Sequence, residues 1–251
     1  MAATTTLEGY REQITHYAQT MALGQNGPAE AGLQSGMPAD RVGMFTSGNL
    51  YKRFDKLKDA CELLVEELEE LEDLIKAYVK EIPLSAYDTG CSDAERFLTW
   101  IDEKADLTDE QKDIIRCQRS RHAVEFVAMK QRLAHVRFQE LLSMNERLLE
   151  ELDGNGKLMV HLNPIHVWSR FETKALLDEE DIVPATVLFF PVGNDIRTVV
   201  IEPECEELIR LLDQSGVMRV KDLRKLCVKS DQEQLMGLLR DLAEMGVIAL
   251  G

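Results

Sequence analysis

Positive charge is scarce in this sequence. It contains 29 Lys and Arg residues against 45 Asp and Glu residues, a formal net charge of −16. A surface of this sign repels phosphate backbones, which argues against a general affinity for nucleic acid. Long apolar runs are also missing: none approaches the roughly 18 to 20 residues needed to cross a bilayer, and no signal peptide is visible. We therefore expect a cytoplasmic protein that binds neither nucleic acid nor membranes.

Cysteine is sparse, and its pattern indicates no disulfide framework. The number is odd and the positions are scattered along the chain, unlike the even, closely spaced cysteines of small secreted domains or the paired cysteines of zinc sites. We expect reduced thiols. The five positions are Cys61, Cys91, Cys117, Cys205 and Cys227.

Recognisable catalytic motifs are lacking as well. The sequence has no Gly-rich phosphate loop, no Gly-x-Ser-x-Gly elbow and no His-Glu-x-x-His pair. His161 and His166 with Glu172 could hold a metal ion, but their spacing is not a recurring ligand pattern, and half-buried strand histidines are the favoured interpretation. We predict no catalytic residue, no metal site and no enzymatic activity in this chain alone.

What the sequence does contain is a helical first part. Apolar residues at helical spacing predict one helix over residues 50–79 and another over residues 108–152, the second opened by a capping box at Thr108. A shorter helix is predicted from Ser92 to Ile101, and residues 24–40 have the composition of a flexible loop. The Gly/Asn cluster after Asp153 is the clearest boundary, so we predict an all-α domain over residues 1–153 and a second domain over residues 157–251.

The second part alternates between strand and helix patterns. Short β-rich runs at 158–162 and 166–171 precede a hairpin, 186–192 and 196–201, which turns at a Gly/Asn/Asp cluster. Three helices are predicted next, at 204–212, 221–227 and 231–245, the first behind Pro203 and the last ending at Gly246. The chain as a whole is thus predicted to be α+β, with a winged-helix-like second domain.

A winged helix suggests a DNA-binding transcriptional regulator as one alternative. Its third helix would then offer basic or amide side chains to the major groove, yet here four acidic residues accompany only Arg240. A small basic patch on the second helix could contact an acidic peptide as readily as a phosphate. That patch comprises Arg219, Lys221, Arg224, Lys225 and Lys229.

Peptide capture is the favoured use of this architecture. If the second hairpin strand lies at a sheet edge, its free N–H and C=O groups can accept an extended peptide as an extra strand, beside apolar positions of the third helix. An ordinary paired core strand is the alternative, and the sequence leaves the two open. The predicted peptide-binding residues are Arg197, Thr198, Val199, Val200, Ile201, Leu235, Leu238 and Leu239.

Three segments of the second part resemble the PqqD family. They read TVLFFPVG at 186–193, VIEPECEELIRLLD at 200–213 and LMGLLRDLAEMGVI at 235–248. That family supplies the recognition element that captures leader peptides in the biosynthesis of ribosomally made, post-translationally modified peptides. The resemblance implies a winged-helix-like fold that binds a precursor peptide.

The first part is similar to the helical domain of the HvfC family. The matching segments read MPADRVGMFTSGNLYKRF at 37–54, LIKAYVKEIPLS at 74–85 and AERFLTWI at 94–101. Phe45 stands where the family usually has Tyr, and Ser47, Gly48 and Asn49 stand where it has Asn-Asn-Val. HvfC-like proteins are partners of multinuclear non-heme iron-dependent oxidative enzymes that modify precursor-peptide cysteines, and such partners also occur in methanobactin and thiaglutamate pathways.

Together the two resemblances imply an accessory subunit that forms a complex with such an enzyme. The iron would belong to the partner enzyme, so no cofactor is expected in this chain. The chain would bind the precursor peptide and present its cysteine to the iron site, a positioning role that raises effective concentration without a catalytic side chain here.

Overall fold

The computed structural model describes residues 39–82, 90–226, 228 and 231–251. These residues have the predicted α+β composition, with two small antiparallel sheets, and the chain divides into two compact units, residues 1–107 and 108–251. The division predicted at residues 153–157 therefore falls inside the second unit. It does so because helical residues before Gly154, such as Leu148 and Leu152, share a hydrophobic core with Leu158 and Val160 beyond it.

The described part of the first unit is helical. It contains α1 (Ala39–Ala60), a 3-10 turn (Glu62–Leu64), α2 (Leu71–Glu81) and α3 (Asp93–Lys104). Ser92 caps α3 by accepting a hydrogen bond from the backbone N–H of Glu95 at 3.0 Å. The loop predicted over residues 24–40 lies outside the described residues, apart from its last two, which begin α1.

The single helix predicted over residues 50–79 is wrong in one respect, because the chain leaves the helix after Ala60 and resumes it at Leu71. The intervening turn lets α1 and α2 pack against each other, and Lys58 pairs with Glu72 at 2.5 Å. An unbroken helix would also place the glutamates of residues 66–70 within repelling distance of one another and of those a turn away. The leucine stripe still forms, because Leu64 and Leu68 are buried.

A buried polar network joins the three helices described in the first unit. Arg53 of α1 is only 6% exposed and donates two hydrogen bonds to the Asp93 carboxylate, at 2.8 and 2.9 Å. The Tyr78 hydroxyl of α2 donates to the same carboxylate at 2.9 Å. Burial, followed by the neighbouring Asp93 charge, raises the pKa of Tyr78, so the phenol stays protonated and keeps donating.

The second unit opens with three helices in place of the one predicted over residues 108–152. They are α4 (Asp109–Lys130), α5 (Arg132–Leu142) and α6 (Asn145–Glu151). The capping box at Thr108 is confirmed, with reciprocal bonds between Thr108 and Gln111 at 3.0 and 3.2 Å. The three helices have different packing partners: α4 packs on the strands of one sheet, whereas α5 and α6 pack on a strand of the other.

The remaining elements follow the predicted order closely. They are β1 (Met159–Leu162), β2 (Val167–Phe171), β3 (Ala185–Val192), β4 (Asp195–Val200), α7 (Pro203–Ser215), β5 (Met218–Arg219), α8 (Val220–Leu226), α9 (Gln232–Met245) and β6 (Ile248–Leu250). The hairpin and all three predicted helices are confirmed, with Pro203 at the start of α7. The strands form two antiparallel sheets, ordered β5–β1–β6 and β2–β3–β4.

The central strand β3 is buried on both faces. Leu188 and Phe190 point into a core shared with β1, α6, α7, α8 and α9. Val187 and Phe189 point the other way, into a core shared with Cys117 and its neighbours on α4. This two-sided burial explains why the β3 sequence is almost continuously apolar, and it makes β3 a rigid support for its neighbours.

Candidate functional site

Strand β4 lies at the edge of its sheet. It pairs with β3 from Val187 opposite Val200 to Val192 opposite Asp195, and no strand of the described residues pairs with its other side. The N–H of Ile201 donates to the Thr186 carbonyl at 2.8 Å. This bond shows that every second residue of β4, counted back from Ile201, is hydrogen-bonded to β3. In an antiparallel ladder the intervening residues turn their N–H and C=O groups outward. These residues are Ile196, Thr198 and Val200.

The predicted binding residues on the hairpin divide between the strand's two faces. Arg197 and Thr198 are exposed, whereas Val199 and Val200 are half-buried. Val199 packs against the core shared with α9, and Val200 packs against the core shared with α4. Ile201 is 5% exposed and follows the end of β4, so it anchors the strand and does not reach a ligand on the surface.

The C-terminal part of helix α9 approaches β4 on the Val199 face. The Arg197 guanidinium donates to the Met245 carbonyl at 3.2 Å, and Leu238 and Met245 both pack at the margin of the core that Val199 joins. Asp241 lies between these two residues on the same side of the helix. We refer to the residues Arg197, Val199, Leu238, Asp241 and Met245, together with the outer side of β4, as the β4–α9 surface.

The other two leucines predicted on α9 need correction. Leu235 is 5% exposed and Leu239 is fully buried, and both belong to the core beneath the sheet. The helical period placed all three leucines on one apolar face, but the centre of that face points into the protein. Only Leu238, at its margin, retains exposed surface. Leu235 and Leu239 thus hold α9 in place and do not line a binding surface.

An acidic group surrounds Cys205 at one end of the β4–α9 surface. Cys205 lies in the first turn of α7 and packs at the margin of the same core as Val199. Burial raises the pKa of the Cys205 thiol, and the carboxylates of Glu202, Asp241 and Glu204 raise it further. All three carboxylates are on exposed residues, so this end of the surface carries negative charge.

A pocket of about 500 Å³ opens at the other end of the β4–α9 surface, and we call it the α6–α9 pocket. Arg197 belongs both to this pocket and to the β4–α9 surface, so the two are continuous. Aliphatic side chains form part of the pocket wall, and two glutamates contribute carboxylates to it. The principal lining side chains are Leu142, Leu149, Val192, Glu146, Glu244 and Arg197.

Two residues fix the base of the α6–α9 pocket. Asn145 is 5% exposed; its amide donates to the carbonyls of Ala243 and Ile248 at 2.9 and 3.0 Å, and its oxygen accepts from the N–H of Leu250 at 2.8 Å. Gly246 ends α9 with a left-handed φ of 87°, and a Cβ there would meet Val192 at 2.9 Å. The pocket is therefore held between α6, α9 and β6.

Sequence reasoning missed this pocket altogether. Its members come from α5, α6, the β3–β4 hairpin and the end of α9, which are far apart in sequence. Leu142 and Leu149 lie in the segment that the sequence predicts as one long helix over residues 108–152, whereas the structure places them in α5 and α6. The single detectable signal was Gly246, which marks the end of α9 but not its surroundings.

Of the two histidines considered for metal binding, His161 is partly buried, and His166 makes other contacts. The Nδ1 of His166 lies 2.9 Å from the Asn163 carbonyl, and its Nε2 lies 3.7 Å from an Asp213 oxygen. Glu172 instead pairs with Arg170 at 3.2 Å. In the ranges that the structure describes, no three His, Cys, Asp or Glu side chains come close enough together to hold a metal ion.

Comparison with known proteins adds no relative. No family model matches the chain, and no curated protein and no solved structure is significantly similar to it. None of the helices in the described ranges is long and apolar enough to cross a membrane.

Proposed function

We propose that this chain is a non-catalytic partner protein that binds a ribosomally made precursor peptide along β4. The observation that carries the proposal is the outward-facing row of N–H and C=O groups at Ile196, Thr198 and Val200. An extended peptide can pair with this row as a fourth strand, which gives affinity through the main chain and leaves side chains to provide specificity.

The rigidity of the sheet favours such capture. β3 holds β4 in place through six residue pairs and is itself buried on both faces. A strand that is already ordered loses little conformational entropy when a guest pairs with it, so most of the ordering cost falls on the peptide. Leu238 and Met245 of α9 supply apolar contacts for guest side chains on one face.

The order of elements supports a winged-helix-like recognition domain of the PqqD type. A β-hairpin precedes three helices, α7, α8 and α9, and the last helix flanks the outer hairpin strand. The PqqD-like sequence segments coincide with β3, with the end of β4 and α7, and with α9. On this proposal, the β4–α9 surface is where the leader portion of the precursor peptide lies.

The HvfC-like segments of the first unit extend the proposal to a partner enzyme. We propose that the chain associates in the cytoplasm with a multinuclear non-heme iron-dependent oxidative enzyme and presents the cysteine of the bound precursor to it. The iron and the oxidation then belong to the enzyme. Binding both molecules in one complex raises the effective concentration of the peptide at the iron site.

Reconstitution with the products of neighbouring genes tests the proposal. The components are an iron-dependent oxidative enzyme and a short cysteine-containing precursor peptide, and the measurement is the rate of peptide mass change. We expect the chain to raise that rate by roughly a hundredfold or more at low micromolar peptide. If the enzyme modifies the peptide equally fast without the chain, the proposal is wrong.

A proline variant assigns the effect to β4. Thr198→Pro removes one outward N–H group and leaves the β3 ladder intact, because Thr198 makes no ladder bond. The variant should fold normally, as followed by circular dichroism, yet should not bind the precursor peptide or accelerate its modification. A Thr198→Pro variant that binds the peptide as tightly as the native chain would place the peptide elsewhere.

A further inference from the structure

Deepening the proposed function, and resting on it, we propose that the peptide captured by β4 is basic and places a lysine or arginine side chain in the α6–α9 pocket. The occupant is thus an extended peptide segment with cationic residues on the face that points toward α9.

The pocket combines the two features that a long basic side chain requires. Leu142, Leu149 and Val192 provide an aliphatic wall for a methylene stem. Glu146 and Glu244 provide carboxylates for a charged head, and both are exposed at the pocket mouth. Charge-assisted hydrogen bonds of this type are stronger than those between neutral groups.

The charges that line the pocket do not balance one another. Glu146 and Glu244 face one cation, Arg197, whose guanidinium already donates to the Met245 carbonyl. Within the described part of the chain, neither glutamate forms an ion pair. One negative charge is therefore left over, and an incoming lysine or arginine would balance it.

The opposite end of the β4–α9 surface has the same sign. Glu202, Glu204 and Asp241 surround Cys205 beyond the end of β4. Acidic groups at both ends favour a cationic guest and raise its association rate, whereas they repel an acidic one. They also repel a second copy of this chain, because its own edge would bring the same charges.

The strand geometry predicts the spacing of the basic residues. The pocket and the acidic group both lie on the α9 face of β4, and side chains on one face of an extended guest recur at every second residue. Two basic residues that engage both ends would thus be separated by an even number of positions. About four positions cover the span from Arg197 to the end of β4, at roughly 3.3 Å per residue.

A displayed peptide library provides the probe. Random peptides of about twelve residues, long enough to cover β4, are selected against the full chain and counter-selected against Thr198→Pro. We expect the Thr198-dependent peptides to be enriched in Lys and Arg at even spacing. Enrichment in acidic or aromatic residues instead, with Thr198 dependence retained, would overturn this inference and leave the proposed function standing.

Charge reversal then locates the contact. The best selected peptide is titrated by fluorescence anisotropy against the native chain, Glu244→Lys, Glu146→Lys and the control Glu233→Lys. Glu233 is an exposed residue of α9 outside the pocket lining, so its reversal changes net charge equally. We expect about tenfold weaker binding for each pocket variant and less than about twofold for the control.

The remaining outcomes are also decisive. Equal weakening by all three variants would mean that net charge alone matters, and it would overturn the assignment of the pocket. If no Thr198-dependent peptide emerges, the proposed function fails and this inference fails with it. A native dimer that Thr198→Pro dissociates, measured by sedimentation, would place a second copy of this chain on β4 and overturn the inference.

Discussion

The two outer strands of the β2–β3–β4 sheet share one central strand but have different surroundings. Strand β2 lies against α4, and the buried Asp113 carboxylate of that helix accepts hydrogen bonds from the N–H groups of Glu172 and Thr173, at 2.9 and 2.7 Å. The Thr173 hydroxyl donates to the same oxygen at 2.8 Å. Strand β4 has no strand neighbour on its outer side within the ranges the structure describes.

The two edges of this sheet therefore differ in how far the rest of the chain covers them. An unpaired edge invites association with other chains, and proteins usually cover it or place charges beside it. Here the chain after β2 is tied to α4, whereas β4 pairs on its outer side with no strand of the described residues and has Asp195 at its start and Glu202 just past its end. Charges of one sign at both ends discourage self-pairing of β4 and still permit pairing with a peptide of opposite charge.

The largest effect should follow from loss of the Asp113 contacts beside β2. Asp113→Asn removes the partner of Arg116, which donates to Asp113 at 2.7 Å, and weakens three further hydrogen bonds of a fully buried side chain. We expect the free energy of unfolding of the second unit to fall by about 3 kcal/mol, measured by urea denaturation.

The matched control for this variant is Asp109→Asn, the same change on the same helix. Asp109 is 77% exposed and pairs with Lys112 on the helix surface, so its loss should cost less than about 0.5 kcal/mol. Equal effects of the two substitutions would contradict the view that Asp113 secures this edge of the sheet.

The next prediction compares proline substitutions on the inner and outer sides of β4. Val199 faces Leu188 in a hydrogen-bonded pair, so Val199→Pro removes a ladder bond, and we expect a loss of about 3 kcal/mol in the free energy of unfolding. Thr198→Pro removes an outward N–H group and should cost less than about 1 kcal/mol. Equal destabilisation by the two prolines would mean that the outer side of β4 is also paired.

Local signals in the sequence predicted much of this region. Pro203 at the start of α7, Gly246 at the end of α9 and the turn at Gly193 each constrain the backbone of their own neighbourhood, and the structure has a helix end or turn at each. The hairpin was visible for the same reason, because its two runs and its turn are contiguous. Elements defined by adjacent residues can be recognised without tertiary information.

What the sequence could not provide was tertiary placement. Asp113 lies 59 residues from Glu172, and no local pattern indicates that the two meet. The helix period identified an apolar face on α9 but could not distinguish the buried Leu235 from Leu238 at the margin. The breaks after Ala60 and Lys130 likewise occur where the sequence has neither Gly nor Pro to mark them.

A smaller effect, which requires no substitution, is expected in the amide hydrogen exchange of β4. Ile196, Thr198 and Val200 direct their N–H groups outward, whereas those of Arg197, Val199 and Ile201 bond to β3. Exchange measured by NMR should therefore alternate, with the outward amides at least about tenfold faster. Uniformly slow exchange along β4 would reveal a partner on its outer side. Addition of a peptide selected for β4 should slow the outward amides specifically.

The smallest effect concerns the thiol at the acidic end of the β4–α9 surface. Burial and the carboxylates of Glu202, Asp241 and Glu204 raise the pKa of Cys205, which lowers its thiolate fraction at neutral pH. Asp241→Asn removes one of these charges, so the pKa should fall and alkylation by iodoacetamide, followed site by site with mass spectrometry, should accelerate. Asp222→Asn, whose carboxylate pairs with Lys225, is the control and should leave the rate unchanged. An unchanged rate in Asp241→Asn would show that burial alone sets the pKa, and the acidic end would then exert too weak a field to select a basic peptide.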